Sequence, residues 1–515
     1  MLQLRALRIA SIFVIFYIGS VTASLAQDVL TVLTSFNVDG TGGSDPNGLV
    51  QGPTEGSNLI FYSTTFAGGP PDGGTVFKVA SPAKTVSTLY YFCAQVDCAD
   101  GSGPSAPLVL GTDGDLYGTT SSGGVTGGAC TSGCGTVFKI TTEGALTTLY
   151  SFTGYSDGSG PAGLVQGADG NFYGTTSAGG ANGEGGTAFS VTPTGQMTTL
   201  YSFCLLTDCA DGRYPRAGLV QGTDGNFYGT TSLGGANERG TAFKITTGGL
   251  TTLYNFCSVG GSYCTDGANP YAGLVQATDG NFYGTTFDGG ANNTIDCGGT
   301  CGTAFQLTPG GALTTLYSFC SLANCADGNA PYAGLIQGAD GNFYGTTVSG
   351  GATSGNGTAY VITPGGVLTT LYSFCSGSCG DNPEAGLMQG TDGSFYGTTS
   401  YGGGTVFKLS AGDDASLTPS TLTFPNTKVG DTSAAKNVTL KNNLTTELTG
   451  ISYSTTGPFS VSSSTCTTAL EAKSSCTISV TFSPTVTGKA TGLLSVSDSV
   501  DPVPHATSLS GTGTD

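Results

Sequence analysis

The sequence lacks several residue types that common functions need. Its 515 residues include no tryptophan and one histidine, and charged residues make up only 10% of the chain. The single histidine, His505, lies in the C-terminal tail and cannot alone supply the rest of the chain with a general base or a metal ligand set. The absence of tryptophan counts against glycan binding, because sugars favour large aromatic platforms. Smaller aromatic surfaces are available at Tyr155, Tyr214, Tyr263, Tyr271 and Tyr332.

Positive charge is also scarce. Lys and Arg number 15 against 34 Asp and Glu, which gives a formal net charge of −19. Nucleic-acid binding needs a basic surface that neutralises phosphates, so this class of partner is excluded. Glycine, in contrast, is abundant, with 87 residues. It costs about 1 kcal/mol relative to alanine inside a helix but suits tight turns. This composition predicts an all-β protein.

The N-terminus has the features of a secretory signal peptide, predicted at residues 1–26. Arg5 and Arg8 precede an apolar run from Ile9 to Ile18, and a small-residue cleavage site ends at Ala26. An uncleaved anchor is the alternative, but the run is short for a bilayer core of about 30 Å. No later segment is long and apolar enough to span a membrane. We therefore expect a secreted or cell-surface protein, extracellular or periplasmic.

The 16 cysteines fall into eight close pairs. Where a repeat lacks one cysteine of a pair it lacks both, as in the loop after Phe152, which is what local disulfides require. Zinc sites are the alternative, but zinc takes four ligands and the only histidine is remote. The predicted pairs are Cys93/Cys98, Cys130/Cys134, Cys204/Cys209, Cys257/Cys264, Cys297/Cys301, Cys320/Cys325, Cys375/Cys379 and Cys466/Cys476.

A Phe-Tyr-Gly-Thr-Thr phrase recurs seven times with small changes. Each copy contains four strand-like runs, which in the fourth copy are Ala217 to Gln221, Asn226 to Ser232, Thr241 to Thr246 and Leu250 to Phe256. A period of 52 to 61 residues suits a four-stranded propeller blade rather than a solenoid coil. The tyrosines of the phrase are Tyr62, Tyr117, Tyr173, Tyr228, Tyr283, Tyr344 and Tyr396.

The two ends of the repeat array complement each other. The array opens with Leu30 to Phe36, which has the pattern of a fourth strand without the three before it. It ends with Thr405 to Leu409, a third strand without a fourth. If the opening strand completes the last blade, no sheet edge stays exposed at the ends. The pattern therefore predicts a seven-bladed β-propeller at residues 27–410.

The chain changes character after a linker at residues 411–416. Short alternating strands follow, such as Leu422 to Phe424, Lys436 to Leu440 and Thr477 to Phe482. About 100 residues of this kind predict an immunoglobulin-like β-sandwich at residues 417–515. Cys466 and Cys476 are too close for the usual bridge between sheets, so we expect them to join neighbouring strands.

Two resemblances agree with this organisation. The segments Gly-Leu-Val-Gln, Asp-Gly-Asn-Phe-Tyr-Gly-Thr-Thr, Gly-Thr-Ala-Phe and Leu-Thr-Thr-Leu-Tyr-Ser-Phe resemble the bacterial GloVer tandem repeats from Val29 to Leu409. The tail, with Leu422-Thr423-Phe424, Gly457-Pro458-Phe459 and Phe482-Ser483-Pro484, resembles Hydin/VesB-type immunoglobulin domains. Both resemblances imply a fold and an exported, surface-associated role. Neither implies a reaction or catalytic residues.

In a propeller the loops before the first and third strands of each blade emerge on one face. Here those loops vary in length and carry all seven disulfide pairs of the repeats, whereas the opposite hairpins are nearly uniform. Loops that vary on a rigid scaffold usually carry recognition, so we expect a ligand-binding face there. Free drift of surface loops is the alternative explanation.

Aspartates recur in the loops between blades. These loops lead into the innermost strands, so the carboxylates would ring the mouth of the channel and suit Ca²⁺ as a cofactor. The alternative is that each Asp caps its own turn. The predicted series is Asp39, Asp100, Asp157, Asp211, Asp266, Asp327 and Asp381.

The three arginines that remain after signal cleavage are Arg213, Arg216 and Arg239, all in loops of the fourth copy beside Glu238. In so acidic a chain, they predict a site for a carboxylate, phosphate or sulfate group. The alternative is a local salt-bridge cluster with Glu238, Asp208 or Asp211. We therefore expect a non-catalytic binder or scaffold whose ligand is an anionic group, a glycan or a protein. An enzyme is the competing class, since acids such as Glu384 and Asp288 leave a hydrolase or lyase acting on a glycan or lactone open.

Overall fold

The computed structural model describes residues 29–36, 42–126, 129–183, 185–259, 261–292, 301–352, 355–375, 380–412 and 414–515. The predicted signal peptide lies outside them. Within these ranges the chain forms β-strands and short 3₁₀ turns, and no helix is long and apolar enough to cross a membrane. The prediction of an all-β protein is confirmed. The 3₁₀ turns are Val96–Cys98, Thr207–Cys209, Gly261–Tyr263, Ala323–Cys325 and Tyr401–Gly403.

The repeats form seven small antiparallel sheets in which consecutive strands lie side by side. Strand β1 (Val29–Ser35) opens the chain. The first three repeats contain β2 (Ser44–Pro46), β3 (Val50–Gln51), β4 (Leu59–Ala67), β5 (Thr75–Ser81), β6 (Val86–Tyr91), β7 (Val109–Leu110), β8 (Leu116–Thr120), β9 (Thr136–Ile140), β10 (Leu146–Ser151), β11 (Ser159–Gln166), β12 (Phe172–Ala178), β13 (Thr187–Val191) and β14 (Met197–Ser202). The last four contain β15 (Val220–Gln221), β16 (Phe227–Thr231), β17 (Thr241–Thr246), β18 (Gly249–Asn255), β19 (Val275–Gln276), β20 (Phe282–Thr286), β21 (Thr303–Leu307), β22 (Leu313–Ser318), β23 (Ile336–Gln337), β24 (Phe343–Thr347), β25 (Thr358–Ile362), β26 (Leu368–Ser373), β27 (Met388–Gln389), β28 (Phe395–Thr399) and β29 (Thr405–Ser410).

The opening strand completes the sheet of the last repeat. Strand β1 pairs antiparallel with β29, with Val29 opposite Ser410 and Ser35 opposite Thr405, in the sheet order β1-β29-β28-β27. The predicted pairing of the two ends of the array is confirmed. It removes the free edge that β29 would otherwise present.

The two threonines of the repeated phrase have separate structural roles. In the third repeat the hydroxyl of Thr176 lies 2.9 Å from that of Thr187 in β13, which joins the second strand to the third. The hydroxyl of Thr175 donates to the carbonyl of Ala217 in the next repeat at 2.8 Å. Both threonines are fully buried. Since buried hydroxyls must find partners, these bonds explain why the phrase recurs.

The contact from one repeat to the next occurs in every sheet. Equivalent hydroxyl-to-carbonyl bonds join Thr64 to Ala106, Thr119 to Ala162, Thr230 to Ala272, Thr285 to Ala333 and Thr346 to Ala385. In the seventh sheet, Thr398 donates at 3.2 Å to the carbonyl of Asn47 in the first repeat. The seventh contact therefore joins the last repeat to the first.

Three of the predicted strands in the fourth repeat are observed within one residue of their expected ends. The first strand is shorter and begins at Val220 instead of Ala217. The carbonyl of Ala217 accepts its bond from the preceding repeat, and Gly218 approaches the backbone of Gly163 so closely that a Cβ would lie 2.8 Å from its carbonyl oxygen. The residues before Val220 therefore pack against the neighbouring sheet instead of extending their own.

The C-terminal region contains a four-stranded and a five-stranded sheet around a separate core. Their orders are β30-β33-β38-β36 and β31-β40-β39-β35, with β32 also on β40, and β34 pairs with β37. Phe424, Phe459 and Phe482 pack together in the core between them. The strands are β30 (Ala415–Thr418), β31 (Thr421–Thr423), β32 (Thr427–Lys428), β33 (Lys436–Asn442), β34 (Leu448–Thr449), β35 (Ser452–Thr455), β36 (Phe459–Ser464), β37 (Ala469–Leu470), β38 (Ser475–Phe482), β39 (Gly488–Ser497) and β40 (His505–Thr514).

The C-terminal region packs on the sixth and seventh repeats. Val503, which is 1% exposed, joins a cluster with Phe395 and Leu409. The Ser454 hydroxyl donates to the Ala339 carbonyl at 2.6 Å. The loop between β39 and β40 and the strand β35 therefore both contact the repeat sheets.

Candidate functional site

The disulfides lie mainly in the loops that connect one sheet to the next. Four of them, Cys93–Cys98, Cys204–Cys209, Cys257–Cys264 and Cys320–Cys325, follow the last strand of a repeat. Cys130–Cys134 lies between the second and third strands of the second repeat. Among the described residues no cysteine is free, which confirms the disulfide prediction for these pairs.

The remaining cysteines agree with this pattern as far as the structure describes them. Cys466 follows β36 and is bonded to Cys476 in the neighbouring strand β38, as expected. Cys301 and Cys375 are also disulfide-bonded. Their predicted partners, Cys297 and Cys379, lie outside the described residues.

Five aspartates of the predicted calcium series lie buried, each inside its own loop. The carboxylate of Asp211 accepts the Tyr201 hydroxyl at 2.8 Å and the backbone N–H groups of Leu205 and Leu206 at 2.9 and 3.1 Å. These contacts are those of a loop cap. Corresponding contacts are made by Asp100, Asp157, Asp266 and Asp327.

The other two aspartates of the series differ. Gly380 packs against Thr399 and Thr405, which belong to the second and third strands of its sheet. Gly328 makes the same contacts with the corresponding threonines in the sixth repeat. Asp381 follows its glycine whereas Asp327 precedes it, so Asp381 lies two positions later than expected. Asp39 lies outside the described residues. Calcium binding by the series stays a prediction, and a calcium titration of thermal stability would test it.

The arginines of the fourth repeat do not act as one cluster. Arg213 forms an ion pair with Glu238 at 3.0 Å, as the salt-bridge alternative predicted. Arg216 is exposed and its guanidinium lies 5.3 Å from the ring centre of Tyr271. Arg239 is also exposed and interacts electrostatically with Asp288. Arg213 also lies 5.5 Å from the ring centre of Tyr214, but it is paired with Glu238. Arg216, in contrast, faces an aromatic surface without an ion pair among the described residues.

That aromatic surface consists of three rings from the fifth and sixth repeats. The ring centres of Tyr271 and Tyr332 lie 5.4 Å apart, and Phe287 lies 5.1 Å from Tyr271. Tyr332 is 38% exposed. Burial raises the pKa of Tyr332, while Arg216 lowers it and Glu384 raises it. A cation and a carboxylate therefore both act on the same ring.

Acidic groups flank the aromatic rings. Burial raises the pKa of Glu384, and the nearby Asp45 raises it further, although the Ser400 hydroxyl lowers it. Burial also raises the pKa of Asp288 to about 6, with Arg239 acting in the opposite direction. The surface thus carries a cation at one position and carboxyl groups that protonate more easily than exposed ones at others.

Four of these side chains share one position in the repeat. Arg216, Tyr271, Tyr332 and Glu384 each follow the proline that precedes an Ala-Gly-Leu segment. Sequence analysis singled out these four residues for separate reasons, and it missed Phe287 and Asp45. Alignment of the repeats at this proline would have shown that one variable position carries Arg, Tyr, Tyr and Glu in consecutive repeats.

The family model of the Gloeobacter/Verrucomicrobia repeat matches the chain three times, at residues 19–204, 124–295 and 262–458. Together the matches cover most of the chain, including all seven copies of the phrase. A comparison with curated proteins found no match.

Among solved structures, the chain is similar to PorZ, an essential bacterial surface component of the type-IX secretion system of Porphyromonas gingivalis. The identity is 13% and the TM-score 0.46, over 94% of this chain and 61% of that chain. A protein of unknown function from Dyadobacter fermentans is 9% identical with a TM-score of 0.36, over 74% and 98% of the two chains. A puromycin-hydrolysing peptidase of Mycobacterium tuberculosis is 11% identical with a TM-score of 0.33, over 73% and 62%. All three TM-scores are below 0.5, so none indicates a function for this chain.

Proposed function

Because the chain belongs to the Gloeobacter/Verrucomicrobia repeat family, we propose that it is an exported, non-catalytic binding or scaffold protein, secreted or held at the cell surface. Disulfides persist in oxidising compartments outside the cytosol, and the described cysteines are all paired. N-terminal sequencing of the exported protein tests this part of the proposal. A mature chain beginning at Gln27 is expected, and a protein retained in the cytoplasm would contradict export.

The scaffold of this proposal is a closed ring of seven blades followed by an immunoglobulin-like sandwich. The pairing of β1 with β29 supports closure, as does the Thr398 bond to Asn47. The ring of Tyr396 in the seventh sheet also lies 4.1 Å from that of Phe61 in the first. The two sheets around the C-terminal core support the sandwich. A closed ring gathers the loops that precede the first strands around one opening.

The exposed guanidinium of Arg216, beside the rings of Tyr271 and Tyr332, carries the binding proposal. The part of the chain that the structure describes offers Arg216 no ion-pair partner, and an aromatic surface next to such a charge suits a flat apolar or sugar-ring ligand that bears a carboxylate or sulfate group. The other arginine of the loop, Arg213, is already neutralised by Glu238. We therefore assign anion recognition to Arg216.

An array of carboxylated and sulfated glycans, with their neutral counterparts, tests this assignment. The expected result is preferential binding of anionic glycans, reduced about tenfold or more by Arg216→Ala, since a charged hydrogen bond contributes about 1.5–3 kcal/mol. Arg213→Ala is the matched control and should bind almost as well as the unmodified protein. Equal losses in the two variants, or no preference for anionic glycans, would reject the assignment.

A glycan hydrolase or lyase is the second candidate, because Glu384 lies near Asp45 and both carboxyl groups have raised pKa values through burial. Acid catalysis uses such groups. A panel of chromogenic glycosides, uronides and lactones separates the two functions. Turnover that is lost in Glu384→Gln would replace the non-catalytic proposal with the enzymatic one.

A further inference from the structure

A side chain of the linker meets two side chains of one C-terminal loop where the repeats join the C-terminal region. Asp414 ends the linker between β29 and β30. Asp498 lies just after β39, and His505 begins β40. His505, the only histidine of the chain, thus lies beside two carboxylates.

The three groups are close together and buried. The His505 Nε2 lies 3.2 Å from Asp414 Oδ1 and 3.6 Å from Asp498 Oδ2. One ligand atom from each residue lies within 4.8 Å of the others. The side chains of His505, Asp414 and Asp498 are 7%, 1% and 1% exposed. Solvent therefore does not satisfy them.

Apart from their contacts with one another, the atoms that face each other have no hydrogen-bond partner among the described residues. These atoms are His505 Nε2, both carboxylate oxygens of Asp414 and Oδ2 of Asp498. The other oxygen of Asp498 accepts the backbone N–H groups of Val500 and Asp501, which fixes the orientation of the carboxylate. Buried polar atoms without partners are rare and costly in folded proteins. A protonated His505 would offset one of the two negative charges and leave the other.

We propose that Asp414, Asp498 and His505 supply three ligands to a divalent transition-metal ion, with Zn²⁺ as the best fit and water as the fourth ligand. Zinc takes imidazole nitrogen and carboxylate oxygen at about 2.0–2.2 Å in tetrahedral geometry, which places ligand atoms about 3.3–3.6 Å apart. The two separations from His505 Nε2 match this spacing. Ca²⁺ and Mg²⁺ favour oxygen ligands and six or more of them, so the imidazole selects against both.

The metal would hold the junction between the two parts of the chain. Asp414 belongs to the linker, while Asp498 and His505 flank the loop that packs Val503 against the seventh repeat. The Asp501 carboxylate also accepts the N–H of Gly412 in the linker. Metal binding therefore fixes the linker to the loop that contacts the repeats, which gives the ion a structural role.

Zinc binding can be measured directly on the full chain produced without a polyhistidine tag. After dialysis against EDTA, titration in competition with a chromogenic chelator should show one zinc ion per chain, together with a rise in melting temperature. Co²⁺ should bind with the visible absorption of a tetrahedral site. No zinc uptake by the folded, unmodified protein, or Ca²⁺ bound in preference to Zn²⁺, would overturn the proposal.

Two variants assign the ligands. Asp498→Asn and His505→Gln should each lower the zinc affinity by more than the ~10–100-fold that loss of an outer-sphere partner causes. Asp431→Asn is the matched control, because Asp431 is an exposed acid of the C-terminal region that belongs to neither the linker nor the loop between β39 and β40. Circular dichroism checks that each variant is folded. Unchanged zinc affinity in folded Asp498→Asn and His505→Gln would contradict the site. This outcome is independent of whether the protein binds anionic glycans through Arg216.

Discussion

At the scale of single residues, the threonine hydroxyl groups of the repeated phrase all find hydrogen-bond partners within the repeats. The first threonine bonds to the next repeat and the second to the third strand of its own sheet. In the uniform hairpins, the Asp224 carboxylate accepts the hydroxyl of Tyr228 at 2.8 Å. Because the threonines make these contacts in every repeat, we expect ligand binding to depend on positions that differ, such as Arg216 and Glu384.

The capping role of the buried aspartates predicts a stability effect within one loop. Asp211→Asn should lower the free energy of unfolding by about 1–3 kcal/mol, because an amide group would face the Tyr201 hydroxyl and two N–H donors with one acceptor fewer. Asp208 lies in the same loop, but its exposed carboxylate accepts no hydrogen bond from the described residues. Asp208→Asn should therefore change the free energy of unfolding by less than about 0.5 kcal/mol. Urea unfolding measures both variants. Similar stabilities for the two would argue against the cap.

The raised pKa of Asp288 predicts a pH dependence. The folded-state pKa of about 6 exceeds the unfolded value of 3.8, so the folded protein holds this proton more tightly. The contribution of Asp288 to stability therefore falls as pH rises from about 4 to 6 and is constant above that range. Relative to the unmodified protein, Asp288→Asn should gain about 1–2 kcal/mol over this interval, allowing for solvent screening.

Unfolding measured at pH 4 and pH 7 on both proteins tests this prediction. Other acids titrate in the same range, so the informative quantity is the difference between Asp288→Asn and the unmodified chain at each pH. A difference that does not change with pH would show that Asp288 titrates at its ordinary value.

At the scale of strands and sheets, the repetition made the fold predictable. Seven copies of one phrase identify the strands even where apolar and polar residues do not alternate, and the offset between the array ends predicted the pairing of β1 with β29. The position of Asp381 was less predictable, because the aspartate follows the glycine in the last loop between repeats, whereas it precedes the glycine in the sixth repeat. Loops are where length changes alter register without disturbing the strands.

The candidate site was predictable in part for a similar reason. The sequence identified Arg216 as unusual in an acidic chain, but it could not show that Arg213 is paired with Glu238 while Arg216 lies over Tyr271. That distinction depends on side-chain directions in neighbouring repeats. The junction of Asp414, Asp498 and His505 had no sequence signal, because Asp414 is distant in sequence from the other two and none of the three belongs to a repeat.

At the scale of the whole molecule, the central question is whether the repeats form a ring. In an open array each repeat contacts only its neighbours, and the first and last would have free ends. In a ring the contact between Tyr396 and Phe61 is equivalent to that between Tyr228 and Phe282, and both pairs have ring centres 4.1 Å apart. Equivalent contacts should have equivalent energies.

This equivalence predicts that Phe61→Leu and Phe282→Leu destabilise the protein equally, by about 1–2 kcal/mol each, through loss of one aromatic pair. Leucine fits the site, because Leu116 already occupies it in the second repeat and is fully buried near Tyr62. Urea unfolding of the two variants compares them under one condition. In an open array Phe61 would lie at an exposed end, so a much smaller loss for Phe61→Leu than for Phe282→Leu would contradict the ring.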